Sequence, residues 1–179
     1  MKFIARAALA SALVLVGSAY ASDGTINITG SIVGTTCTVT GNDTGSNVKV
    51  QLPTIAASNL AAANQVSGTT PFSIGLSGCK NGAANATGAV KAYFETGPNV
   101  DLATGRLKVT GTGTATNVQL ELLNDNGSSI KIGDSSTITG TTFDTEGKAT
   151  LNYRVQYHAT GVVVGGSANS SVTYSLNYQ

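Results

Sequence analysis

The chain has 179 residues, with ten Lys or Arg against nine Asp or Glu, one histidine and two cysteines. That length suits one ordinary domain. The near-balanced charge, without a run of either sign, excludes a basic surface for nucleic acid and an electrostatic tail.

Residues 1–21 read as a secretory signal peptide. Lys2 and Arg6 form a positive start, "AALASALVLVGSA" an apolar centre, and Ala19 to Ala21 ("AYA") the small residues a signal peptidase requires. The apolar run is short for a membrane span, and no second stretch could cross a membrane. An exported chain beginning at Ser22, with no direct membrane insertion, is expected.

The next segment, "GTINITGSIV", places Ile26, Ile28, Gly30 and Ile32 on one face and Thr25, Asn27, Thr29 and Ser31 on the other. This is the period of a strand buried on one side. It stands where chains usually fray unless another element holds them. Cys37 and Cys79 follow, and in an exported protein a disulfide between two cysteines is the default. It would stabilise the fold by about 4 kcal/mol on the chain-entropy model. A metal or catalytic role lacks partners, because His158 is the only histidine.

"TIAASNLAAANQV", 54–66, is the one place for a short helix, although Ser58 and Asn59 make a loop an equal reading. After it come short alternating runs: Phe72, Ile74 and Leu76; then Val118, Leu120 and Leu122; then Leu151, Tyr153, Val155 and Tyr157; finally Val172, Tyr174, Leu176 and Tyr178. Turn clusters separate them. The spacing predicts an all-β sandwich or barrel in one domain. The last run continues to the final residue of the sequence, with nothing beyond it to pair.

No constellation for chemistry emerges, so no catalytic residue, metal ligand or cofactor is nominated and an enzyme is not expected. "GLSGC", 75–79, lacks the final glycine of a nucleophile elbow and sits inside a strand pattern. "GTGTAT" lacks the lysine and context of a phosphate loop. The few acidic residues nominate no glycosidase pair. His158 alternates away from the apolar face and is expected to face solvent.

Five stretches together carry a resemblance: "GTINITGSIVGTTCTV", "FSIGLSGCKNG", "ATNVQLELLNDNGSSI", "YRVQYHATG", and a C-terminus with penultimate Tyr178 and Gly166 fourteenth from the end. In this order the chain resembles the major subunits of chaperone–usher, type 1-like fimbriae of Gram-negative bacteria. The resemblance implies an incomplete immunoglobulin-like β-sandwich lacking its last strand, completed by a donor strand from another subunit. Residues 22–33 would be the donor-strand extension, with Ile26, Ile28, Gly30 and Ile32 as its inserted face, and 34–179 the pilin domain.

The implied partners are other copies of the chain, related fimbrial subunits, a periplasmic chaperone and an outer-membrane usher. The chaperone would contact Gly166, Val172, Tyr174, Leu176 and Tyr178. The implied route is through the periplasm to a fimbrium on the cell surface, supporting cell adhesion. The other readings are a minor or adaptor subunit, or a secreted carbohydrate-binding β-sandwich, since a fold does not dictate a function.

Overall fold

The computed structural model describes residues 27, 29, 30, 32 and 34–179. The expected signal segment, Ile26 and Ile28 lie outside the described residues. From Val33 onward the chain clusters as one unit. Its alternating runs form ten strands: β1 (Thr35–Thr40), β2 (Val66–Asn81), β3 (Ala84–Asn85), β4 (Ala89–Phe94), β5 (Val100–Asp101), β6 (Arg106–Lys108), β7 (Thr116–Asn124), β8 (Thr141–Thr142), β9 (Ala149–Val164) and β10 (Tyr174–Tyr178). They make two sheets, so the alternative of sandwich or barrel resolves to a sandwich. The larger has the order β1-β2-β9-β7-β6-β5, with β3 beside β2, and the smaller β10-β4-β8.

The alternation read from the sequence supplies the core. Ile74 and Leu76 of β2, Leu120 and Leu122 of β7, and Leu151, Tyr153 and Val155 of β9 face Val90, Ala92 and Phe94 of β4. Tyr153 sits where the two sheets meet. Its ring meets Phe94 edge-on at 5.2 Å and Phe72 at 5.9 Å. Its hydroxyl accepts from Ala92 N at 3.0 Å and reaches toward Thr139 O at 3.5 Å. The β4–β8 ladder pairs only Ala89 with Thr142 and Val90 with Thr141. The phenol therefore takes up the main-chain donor at which that short ladder has stopped, as a buried N–H requires.

Cys37 and Cys79 are joined by a disulfide, which ties β1 to β2. Of 54–66 only Ala57–Leu60 is helical, a single 3₁₀ turn with no side-chain cap and with Leu60 driven into the core. Ser58 and Asn59 are weak helix formers, and the segment makes one turn.

His158 corrects the expectation that it faces solvent: it is only 7 % exposed. It does point away from the apolar core, but that outer face of the large sheet carries its own closed polar cluster. Glu121 on β7 accepts from Arg106 Nε (3.2 Å) and Ser129 Oγ (2.8 Å) at Oε1 and from Gln156 Nε2 (2.9 Å) at Oε2, and His158 Nδ1 lies 3.1 Å from the same Oε2. Alternation tells which face a residue takes. It does not tell whether neighbours then cover that face.

Candidate functional site: an open groove beside the last strand

Among the described residues, β10 forms its ladder with β4 alone. Glu95 N donates to Thr173 O, and Gln179 and Ala89 exchange both main-chain bonds. With Tyr174 opposite Phe94 and Tyr178 opposite Val90, antiparallel alternation puts the bonds of Ser175 and Asn177 on β4 as well. The N–H and C=O groups of Tyr174, Leu176 and Tyr178 are then left on the outer edge. The same three side chains, with Val172, pack half-buried against the core.

Opposite this edge runs the segment after β1. Residues 46–52 belong to no sheet, yet Val48, Val50 and Leu52 alternate inward and pack on the core. Between the two walls lies a cleft of about 650 Å³, floored by Ile74, Phe94, Leu122 and Val155. A second cleft of about 510 Å³ shares Val50, Leu52, Leu120 and Ser170 with it and continues past Ile55 and Leu60 to Gly166. Together they form a groove, apolar along the first cleft, beside an edge of β10 that has no strand partner among the described residues. Left empty, such an edge invites pairing with another chain.

The predicted residues fall around this groove. Val172, Tyr174 and Leu176 line the first cleft. Tyr178 closes the far end of β10: its ring stacks on Phe143 at 6.3 Å, and its hydroxyl lies 3.5 Å from Cys37 Sγ. Tyr174 OH donates to Ser46 O at 2.6 Å, from one wall to the other. Burial pushes the phenols of Tyr174 and Tyr178 up, so both remain neutral donors.

Gly166 lines the second cleft, and a Cβ there would come under 3.0 Å from main-chain atoms of Gly113, Thr114 and Ala115. The close approach is fastened by Ala115 N to Ser167 O (2.8 Å) and Ser167 N to Gly113 O (2.9 Å). Any side chain at 166 would force these two segments apart.

Gly30 and Ile32 are exposed, Ile32 completely at 101 %. A Cβ on Gly30 meets nothing within 4 Å. The wall at 46–52 was missed in the sequence reading, although the run "VKVQL" carries a legible alternation. The floor of the first cleft is apolar side chains, and Ser, Thr and Asn residues stand along the rims. The groove's chemistry is that of holding an extended segment of alternating pattern, by main-chain pairing along β10 and side-chain burial in the cleft.

A family model for the fimbrial protein matches residues 26–179. The chain is 41 % identical over 162 residues to the F17 fimbrial protein of Escherichia coli, covering 89 % of each. It is 39 % identical over 168 residues to the major fimbrial subunit SMF-1 of Stenotrophomonas maltophilia, covering 90 % of this chain and 95 % of the relative. Among solved structures it resembles the antigen and type I fimbria protein of Burkholderia pseudomallei, with a TM-score of 0.55 and 29 % identity over 82 % of this chain and 99 % of that one. The P pilus rod subunit PapA shares the fold, with a TM-score of 0.60 at 21 % identity, over 80 % of this chain and 99 % of that one.

Proposed function

The chain belongs to the fimbrial protein family, and from that premise we propose that it is a structural subunit of a chaperone–usher fimbria that polymerises by donor-strand exchange. One observation carries the reading. Among the described residues, the final strand has one edge free beside an apolar groove.

In this reading residues 1–21 are removed on export, and 22–33 of one copy enter the groove of the next. The open main-chain groups of Tyr174, Leu176 and Tyr178 pair with the incoming strand, which buries Ile26, Ile28 and Ile32. Full burial of an isoleucine is worth about 1.5–3 kcal/mol, so the three together supply several kcal/mol to each junction. Before assembly a periplasmic chaperone covers the same groove and contacts the C-terminal strand with Gly166, Val172, Tyr174, Leu176 and Tyr178. An outer-membrane usher then directs the exchange, and the product stands on the cell surface and supports adhesion.

Gly30 provides the test. It keeps phase with the isoleucines, and a strand glycine marks a place where another group approaches closely. Its Cβ position is open in its own chain, so Gly30→Arg should leave folding and chaperone co-purification intact while blocking fibres. Thr29→Arg, on the other face, should polymerise far better. If both variants form fibres like the parent chain, the extension is not the donor strand. A stable, complete monomer from the chaperone-free parent chain would favour the carbohydrate-binding reading instead.

A further inference from the structure

Among the described residues, one hydrogen bond joins segment 46–52 to segment 170–176 across the groove: Tyr174 OH to Ser46 O, at 2.6 Å. The rest of the 46–52 wall is held from behind. Asn42 grips Lys49 through both its main-chain groups, at 2.7 and 2.8 Å. Tyr174 starts from the opposite wall, on a strand whose own ladder runs to β4. Its side chain therefore spans the interval an incoming strand has to occupy.

Building on the donor-strand reading, we infer that Tyr174 is a crossbar of the empty groove, a positioning residue whose hydroxyl must release Ser46 before a strand can enter. The ring has a second, separate duty, because it packs half-buried against the core. Removing the hydroxyl alone separates the two duties. A phenylalanine keeps the apolar contact and cannot bridge the walls. The crossbar sets the rate of entry and leaves the filled groove unchanged, since the inserted strand replaces the bond it breaks.

The comparison uses the oxidised mature chain at nanomolar concentration with an excess of dye-labelled synthetic peptide of residues 22–33, followed by anisotropy. Tyr174→Phe should accelerate entry about three- to tenfold, the change that loss of one neutral hydrogen bond of ordinary net strength produces. Tyr93→Phe loses a hydroxyl that donates to Gly133 O at 3.2 Å, outside both clefts, and should keep the parent rate. The melting temperature of the peptide-filled Tyr174→Phe chain should match that of the parent, a split that a purely structural role would not give. Tyr174→Leu, also without a hydroxyl, serves as the second variant and should likewise enter faster. Entry into Tyr174→Phe at or below the parent rate overturns the crossbar while leaving the donor-strand reading in place. Failure of the peptide to bind any of the chains overturns both.

Discussion

Replacing Tyr153 by phenylalanine isolates the bond that ties the two sheets. The ring is 1 % exposed, and its contacts with Phe94 and Phe72 survive the change. What is lost is the acceptor for Ala92 N–H, 3.0 Å away on a residue with no exposure. Since β8 ends at the pair Val90–Thr141, no strand takes that donor over. Stranding a buried donor costs about 1–3 kcal/mol. For a domain of this size each kcal/mol moves the melting temperature by about 2–4 °C, so the middle of the range is a fall of roughly 4–8 °C. Thermal unfolding of the oxidised mature chain by circular dichroism measures it. Tyr157→Phe is the control, because that hydroxyl bonds Pro53 O at the half-exposed margin and should cost below about 1 kcal/mol. A Tyr153→Phe chain melting within about 1 °C of the parent would refute the account of the interrupted ladder. The bond matters beyond stability, because among the described residues β4 is the strand that holds β10 in place.

Deleting Thr173 to Gln179 should abolish recovery with a matched periplasmic chaperone, since it removes β10 and three residues packed on the core; normal co-purification would show that the chaperone reads another surface. The Glu121 cluster predicts a pH dependence. Burial alone would raise that carboxyl, but bonds from Gln156, Ser129 and His158 and the charge of Arg106 outweigh it and hold the group below the ordinary glutamate range. A depressed native value means stability that is full above the unfolded-state value, about 4.3, and declines as the pH falls from there through the native one. Urea midpoints measured from neutral pH downward should therefore fall more steeply below about pH 4.3 in the parent than in Glu121→Gln, and parallel profiles would remove Glu121 as the source.

The strands that build the core were legible because each has one face buried and one face open. Leu151, Tyr153 and Val155 lie on the inner face as their period requires, and so do Leu120 and Leu122. The alternation of Tyr174, Leu176 and Tyr178 was equally legible, and these residues form β10. Other parts of the site had weaker signals. β5, β6 and β8 are two or three residues long, too short for a period to show. Segment 46–52 has the alternation of a strand without a ladder, so its place as a groove wall depends on contacts from distant residues. His158 takes the expected face but not the expected environment, because Glu121 on the neighbouring β7 and Gln156 two places back on its own strand close over it. The contact of Tyr174 with Ser46 joins residues 128 positions apart, and no local pattern reports it.

The position of the disulfide has a mechanical consequence. Cys37 is the third residue of β1, and its bond crosses to Cys79 near the end of β2. A pull on the chain from the N-terminal side enters the domain at Thr35. It can peel only Thr35 and Thr36 away from β2 before the load passes through a covalent link. From Cys79 the tension reaches β2, which is flanked by β9 along most of its length. If subunits hold one another by their N-terminal segments, as proposed above, this arrangement sends traction across the disulfide into β2 instead of unzipping the edge strand β1 bond by bond.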